Sequence, residues 1–388
     1  MVQVEHDKEV LRLVQDLLVI ESHADAAGRE ADVGQALLAW FRAHKIDAEA
    51  YPVEDGRANI VARIRGTGRG GSLMLNGHLD TVPAGTMDDA FVPRIVDGKL
   101  WGRGACDMKG AIAAMAVTMA RIAEGGSRSI AGELVFAGTV GEETGSIGVK
   151  RLIEAGVRGD GAVVGEPTGL RIGIAHKGAC FVRIHLTGRG AHGSRPEDGV
   201  NAVSYGARVL TALEGRLRLE VGKRTHPLLG RSTVNVGRLC GGTQPNIVAE
   251  ECVLDIDRRT VPGEDDTIGE IAALVEDVCR GVDGLHWEIA EMDETAEVPH
   301  RALDTHGRSA LVADTQSVCR ALGLVAEPVG LPYWTDGGHL SASGIETIVL
   351  GPGDIAYAHG PREHVPIAEL GAAAELYRRL ALRRLKAD

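Results

Sequence analysis

At 388 residues the chain is too long for one small core and points to two domains. With 44% apolar and 25% charged residues it has a globular composition, and a formal charge of -12 argues against non-specific binding to nucleic acid or an anionic membrane. The longest apolar stretch, Ala111 to Ala120 and a little beyond, is too short to span a bilayer.

Residues 1–10 are polar and acidic, unlike a signal peptide. Helical periodicity runs over 10–20 and 33–44, then strand-like runs over 60–64 and 73–76. The latter reads on through Asn76-Gly77-His78-Leu79-Asp80 to a turn at Pro83. Residues two apart on a strand face the same way, so Asp80 can reach the far ring nitrogen of His78 and fix the tautomer of a metal-binding imidazole. The alternative is a satisfied core histidine. Next comes Gly102-Arg103-Gly104-Ala105-Cys106-Asp107-Met108-Lys109-Gly110, with Asp107 directly before an alanine-rich helical run over 108–123. Asp107 is read either as a metal ligand or as the helix N-cap.

A strand at 133–139, a helix at 147–154 and a strand at 161–165 continue the alternation, which argues for a mostly parallel α/β sheet. Ligands of such sheets sit beyond the carboxyl ends of the strands. His78, Glu142, Glu143 and Glu166 all fall there. In Gly141-Glu142-Glu143-Thr144-Gly145 the two carboxylates point apart, so one can bind a metal while the other moves a proton. The bland alternative is a solvated acidic loop. From residue 177 the pattern changes: strand 180–186, helix 200–213, strands 232–236 and 249–259, helix 268–278 and a further strand. That order suits a small α+β domain with a sheet open on one side, inserted at 177–291 into a domain made of 1–176 and 292–388. The α/β pattern resumes near Asp293, with a helix at 310–322, an apolar run at 346–350 and a closing helix at 367–385. Tyr357-Ala358-His359-Gly360-Pro361-Arg362-Glu363-His364 offers a late histidine in a proline-stiffened loop, or a plain surface turn. Two GxGxxG matches, at 66–71 and 188–193, are weak: the first precedes a strand rather than a helix, and the second lies in the insert. Six cysteines (Cys106, Cys180, Cys240, Cys252, Cys279, Cys319) without paired spacing lead us to expect a reduced, cytoplasmic protein.

Taken together, Gly77-His78-Leu79-Asp80, the 102–110 stretch, Gly141-Glu142-Glu143, Gly165-Glu166-Pro167 and Ala358-His359 resemble the zinc metallopeptidase family of acetylornithine deacetylase, succinyl-diaminopimelate desuccinylase, aminoacylase and the glutamate carboxypeptidases. The resemblance covers nearly the whole length, in the family's order. It implies two Zn²⁺ per chain, with Co²⁺ or Mn²⁺ as substitutes, bridged by Asp107. His78 and Glu166 would complete one site, Glu143 and His359 the other. Glu142 would be general base to a hydroxide held between the ions, and Asp80 the partner of His78. The peptide after Asp107 would be cis, and the insert would be a lid that also forms a homodimer.

The resemblance further implies that His192, in Gly190-Ala191-His192-Gly193, enters the partner's active site and steadies the oxyanion, with Asn246 beside it. For a substrate carboxylate, Asp257-Arg258-Arg259-Thr260-Val261-Pro262-Gly263 offers two arginines. Arg259 has the family spacing to Pro-Gly and lies on the polar face of an alternating strand. Glu at position 166 favours deacylases or carboxypeptidases, whereas Gly338 stands where desuccinylases have arginine. The expected activity is hydrolysis of the amide bond of an N-acyl amino acid, with carboxypeptidase or dipeptidase action on small peptides as the alternative. A binding protein on the same fold should have lost a ligand, and none is missing. A dinucleotide oxidoreductase rests only on the weak glycine motifs.

Overall fold

The computed structural model describes residues 2–386 except 55, 69, 127, 128, 293, 294 and 296, and the side chains of residues 2–7 are likewise left undescribed. The expected restart of the α/β pattern at Asp293 lies outside the described residues, as does Arg69 of the first glycine motif. The chain divides into two compact units, one of 1–175, 303–330 and 335–388, the other of 176–302 and 331–334.

The first unit is built on a sheet whose strand order is Asp47–Glu54, Arg57–Arg65, Glu133–Thr139, Ser72–His78, Gly161–Val164, Glu346–Val349, Gly173–His176 and Leu303–Asp304, with Val329–Leu331 beside Gly173–His176. The four strands from Glu133–Thr139 to Glu346–Val349 run parallel, and antiparallel strands flank them. These central strands are buried on both faces, which is why they read as unbroken apolar runs rather than alternations. Their carboxyl ends align: His78 is in register with Thr139, and Asn76 with Val164.

The helix Lys109–Glu124 is buried almost all round, packed between the sheet and the helices Val2–Leu18 and Ile367–Arg384. Its alanines let it lie close. So does Gly77, where an added Cβ would come within 2.5 Å of Met108 Cε and 2.8 Å of Ile112 Cδ1. Met108, not Asp107, is the capping residue, and it makes no side-chain cap bond. The Asp107 carboxylate is thereby free of the helix end, which removes the N-cap reading. Among the described residues no helix is long and apolar enough to cross a membrane.

The second unit has a four-stranded antiparallel sheet in the order Thr233–Gly241, Glu251–Thr260, Gly178–Thr187 and His286–Glu291. Helices Ala202–Ala212 and Thr267–Cys279 pack on it through a core that includes Val182, Ile184, Leu254, Ile256 and Ile271. Alternation along Glu251–Thr260 is regular, with Leu254, Ile256 and Arg258 buried and Asp255, Asp257 and Arg259 only partly so.

Sequence periodicity located most of the long elements within a few residues, but it began the helix Val2–Leu18 eight residues late and ended the strand Thr233–Gly241 five residues early. It passed over the edge strand Asp47–Glu54 and the short sheet of Arg94–Val96, Lys99–Trp101 and His364–Pro366, whose three-residue strands are too brief for any period to register.

Candidate active site

The aligned strand ends bring the site together. His78 closes the strand Ser72–His78, Glu166 follows the end of Gly161–Val164, and residues 140–143 follow Glu133–Thr139. Asp107 is delivered by the turn before the buried helix, across a cis Asp107–Met108 peptide. His359, at φ 60, comes from the loop after the turn Ile355–Tyr357.

Asp107 faces a histidine with each oxygen. Its Oδ1 lies 2.8 Å from His78 Nε2 and its Oδ2 3.2 Å from His359 Nε2. Glu166 Oε1 stands 3.6 Å from the same His78 nitrogen, and Glu143 Oε1 3.1 Å from the same His359 nitrogen. Two three-residue sets result, His78–Asp107–Glu166 and Asp107–Glu143–His359, each with donor atoms within 4.8 Å of one another. They share Asp107. On the other side of the His78 ring, Nδ1 is 3.0 Å from the Asp80 carbonyl oxygen and 3.5 Å from its carboxylate. That carboxylate accepts the backbone N–H of Glu142 at 3.1 Å and of Glu143 at 2.9 Å, so Asp80 also ties the acidic loop to the histidine strand.

The electrostatics are those of a pocket short of positive charge. Burial, with Glu166 adding to it, lifts the Glu142 carboxyl well above the usual range; burial and Asp107 do the same to Glu166. Glu143 is raised by burial and Asp107. Burial pushes Asp336, nearby at 2% exposure, up to about 6. Burial alone would depress His78, yet Glu166, Asp107 and Asp80 hold it well above its ordinary value. His359 is pushed up to about 10 by its hydrogen bonds to Asp107 and Glu143. Asp107 is the exception: burial is outweighed by His359 and His78, which keep it low. Carboxylates crowded until they retain protons, facing imidazoles through a shared aspartate, make a donor set that fits divalent cations, Zn²⁺ among them.

Two residues that sequence reasoning quoted without assigning a role complete the frame. The carboxylate of Glu363, 0% exposed, accepts the N–H groups of Gly104 (2.8 Å), Cys106 (3.1 Å) and Asp107 (3.2 Å) and pairs with the Arg103 guanidinium. Arg103 in turn donates to the His359 carbonyl at 3.3 Å, so one ion pair ties the Asp107 turn to the His359 loop. The signal was a charged residue in each of two glycine-bearing stretches, and nothing local distinguishes it from a surface charge.

Gly338 lies buried in the short helix Gly337–Ala342, next to Asp336, whose Oδ2 accepts the Thr139 hydroxyl at 2.7 Å. Within the second unit, His192 is exposed, with Nδ1 2.7 Å from Ser194 Oγ. Gly193 N–H donates to the Asn246 carbonyl at 2.7 Å, so the His192 and Asn246 turns lie side by side. Arg259 Nε donates to Asp257 at 2.8 Å, and its guanidinium stands 5.6 Å from the Phe181 ring centre. Arg258, by contrast, is fully buried against Glu264. The glycine run at 66–71 leads into the strand Ser72–His78 and offers no helix N-terminus to a nucleotide.

The chain is 33% identical over 324 residues to the acetylornithine deacetylase of Myxococcus xanthus, covering 81% of this chain and 80% of that one. It is 31% identical over 357 residues to the acetylornithine deacetylase of Proteus mirabilis, covering 88% and 86%. In fold it matches a tripeptidase from Staphylococcus aureus with a TM-score of 0.81 at 24% identity, over 98% of each chain. The model of "Peptidase family M20/M25/M40" matches residues 74–383, and the chain therefore belongs to that family of amide-bond hydrolases.

Proposed function

We propose that the chain is a di-metal deacylase that hydrolyses the amide bond of an N-acyl amino acid, as acetylornithine deacetylases do. The observation that carries this reading is the pair of three-residue donor sets sharing Asp107. His78 and Glu166 would hold one ion, Glu143 and His359 the other, and Asp107 both. The chemistry supplied by bound cations is Lewis acidity, toward the scissile carbonyl and toward water.

The chain's own groups do the rest. Glu142, buried beside the cluster and tethered through its N–H to Asp80, takes a proton from water at its carboxylate and returns it to the leaving nitrogen. The Asp80 carbonyl and carboxylate orient the His78 ring through Nδ1. We assign the substrate carboxylate to Arg259, whose guanidinium lies on the open face of its sheet and is held by Asp257 alongside Phe181. His192 and Asn246, in adjoining turns, are assigned to the oxyanion, His192 acting in a second copy of the chain.

The test is kcat/KM for an N-acetyl amino acid and for its carboxamide, in wild type and Arg259→Ala, with a dipeptide panel alongside. Wild type should prefer the acid, and the variant should lose on the order of 2–5 kcal/mol of transition-state binding for it while hardly discriminating. An undiminished preference in Arg259→Ala would remove the residue from the site. Faster turnover of dipeptides than of acyl amino acids would favour the peptidase reading, which the tripeptidase likeness keeps in view.

A further inference from the structure

We propose that Glu30, oriented by Arg57, is a positioning residue for the loop that carries Glu142; this rests on the reading of Glu142 as the base. Residues 140–143 present four successive backbone N–H groups, and each is taken by a side-chain oxygen from elsewhere. Val140 N–H donates to Asn59 Oδ1 at 3.1 Å, Gly141 to Glu30 Oε1 at 3.0 Å, and Glu142 and Glu143 to Asp80. Glu30 is 111 residues from Gly141 in sequence. It is fixed by a two-pronged pair with Arg57, Nη2 to Oε1 at 2.6 Å and Nε to Oε2 at 2.8 Å, while Arg57 Nη1 reaches Glu54 at 2.8 Å.

Both charged side chains are nearly sealed from water, at 4% and 2% exposure. A buried ion pair is poor evidence of stability, because desolvating two charges offsets most of their attraction. Its geometry is specific, however, and here it is spent on one peptide group. Gly141, at φ 70, sits against Arg57 so closely that a Cβ would come within 2.7 Å of Nη2. The pair therefore sets the level at which the chain leaves the strand Glu133–Thr139. Asp80 then sets the two residues that follow. Without Glu30 the Gly141 N–H, the group immediately before Glu142, loses its acceptor, and the remaining side-chain acceptor on that side is Asn59, at Val140.

The experiment combines amide exchange across residues 138–146 with steady-state kinetics and metal content for wild type, Glu30→Ala, Glu30→Gln and Glu142→Gln. Glu30→Ala should speed exchange at residues 141–143 and lower kcat by about ten- to a hundredfold, with KM and metal content near wild type. Glu30→Gln keeps the volume and one acceptor oxygen, so it should restore part of both the protection and the turnover. If the alanine variant does not fold, the glutamine variant decides the matter, with faster exchange and lower kcat than wild type as the supporting result. Unchanged exchange, or faster exchange at wild-type kcat, overturns the proposal. Full turnover in Glu142→Gln would instead defeat the assignment of the base, and the exchange result would still decide whether Glu30 holds the loop.

Discussion

Glu142 and Glu143 are neighbours in sequence to which the proposed function gives different duties. Glu143 meets His359 Nε2 at 3.1 Å, whereas Glu142, at 6% exposure, lies among Glu166, Asp336 and His78 without entering either donor set. A carboxyl lifted by burial and like charge retains a proton more readily, the property wanted in a group that must take one and give it back. Glu142→Gln should therefore bind metal as wild type does and lose about a hundredfold or more in kcat. Metal analysis beside single-turnover kinetics checks this. A metal-depleted variant whose activity tracks its metal content would move the role to Glu143. At this scale the sequence was most legible where residue type and spacing coincide, as at His78, Asp107 and Glu166. It was least legible at Glu363 and Arg103, which pair with each other across 260 residues of sequence, and at Glu30, whose bond to Gly141 spans 111. No local pattern encodes such a pairing.

Among the elements, the turn holding His192 is the one whose proposed duty requires a second copy of the chain. It is exposed, glycine-bearing and pinned to the Asn246 turn by the Gly193 N–H, so it presents an imidazole outward on a firm base. Among the described residues its imidazole meets only the serine of its own turn, and the proposed assignment to a second copy of the chain rests on the family resemblance. Mixing inactive His192→Ala with inactive Glu142→Ala subunits should regenerate activity, since a mixed dimer holds one intact composite site. Proven subunit exchange with no recovered activity would contradict the assignment. Long elements were readable because burial imposes their period: the strand Glu133–Thr139 and helix Ile147–Glu154 begin and end where their apolar pattern does. The helix Val2–Leu18 starts well before its periodic stretch at residue 10, because polar first turns leave no apolar signature.

For the whole molecule, the parallel centre of the large sheet explains why the three separated stretches of His78, Glu142–Glu143 and Glu166 converge. Parallel strands put all their carboxyl ends on one side, and crossover helices return the chain to the other. Side by side, these ends stand in the order Glu133–Thr139, Ser72–His78, Gly161–Val164, so stretches far apart in sequence become neighbours in space. The bridging role of Asp107 is the claim on which the account stands, because removing it deprives both donor sets at once. The measurement is metal stoichiometry after zinc loading and exhaustive dialysis, for wild type and for folded Asp107→Ala. Wild type should retain two equivalents per chain and the variant should lose most of both. Two equivalents retained by Asp107→Ala would contradict the shared ligand and the chemistry built on it.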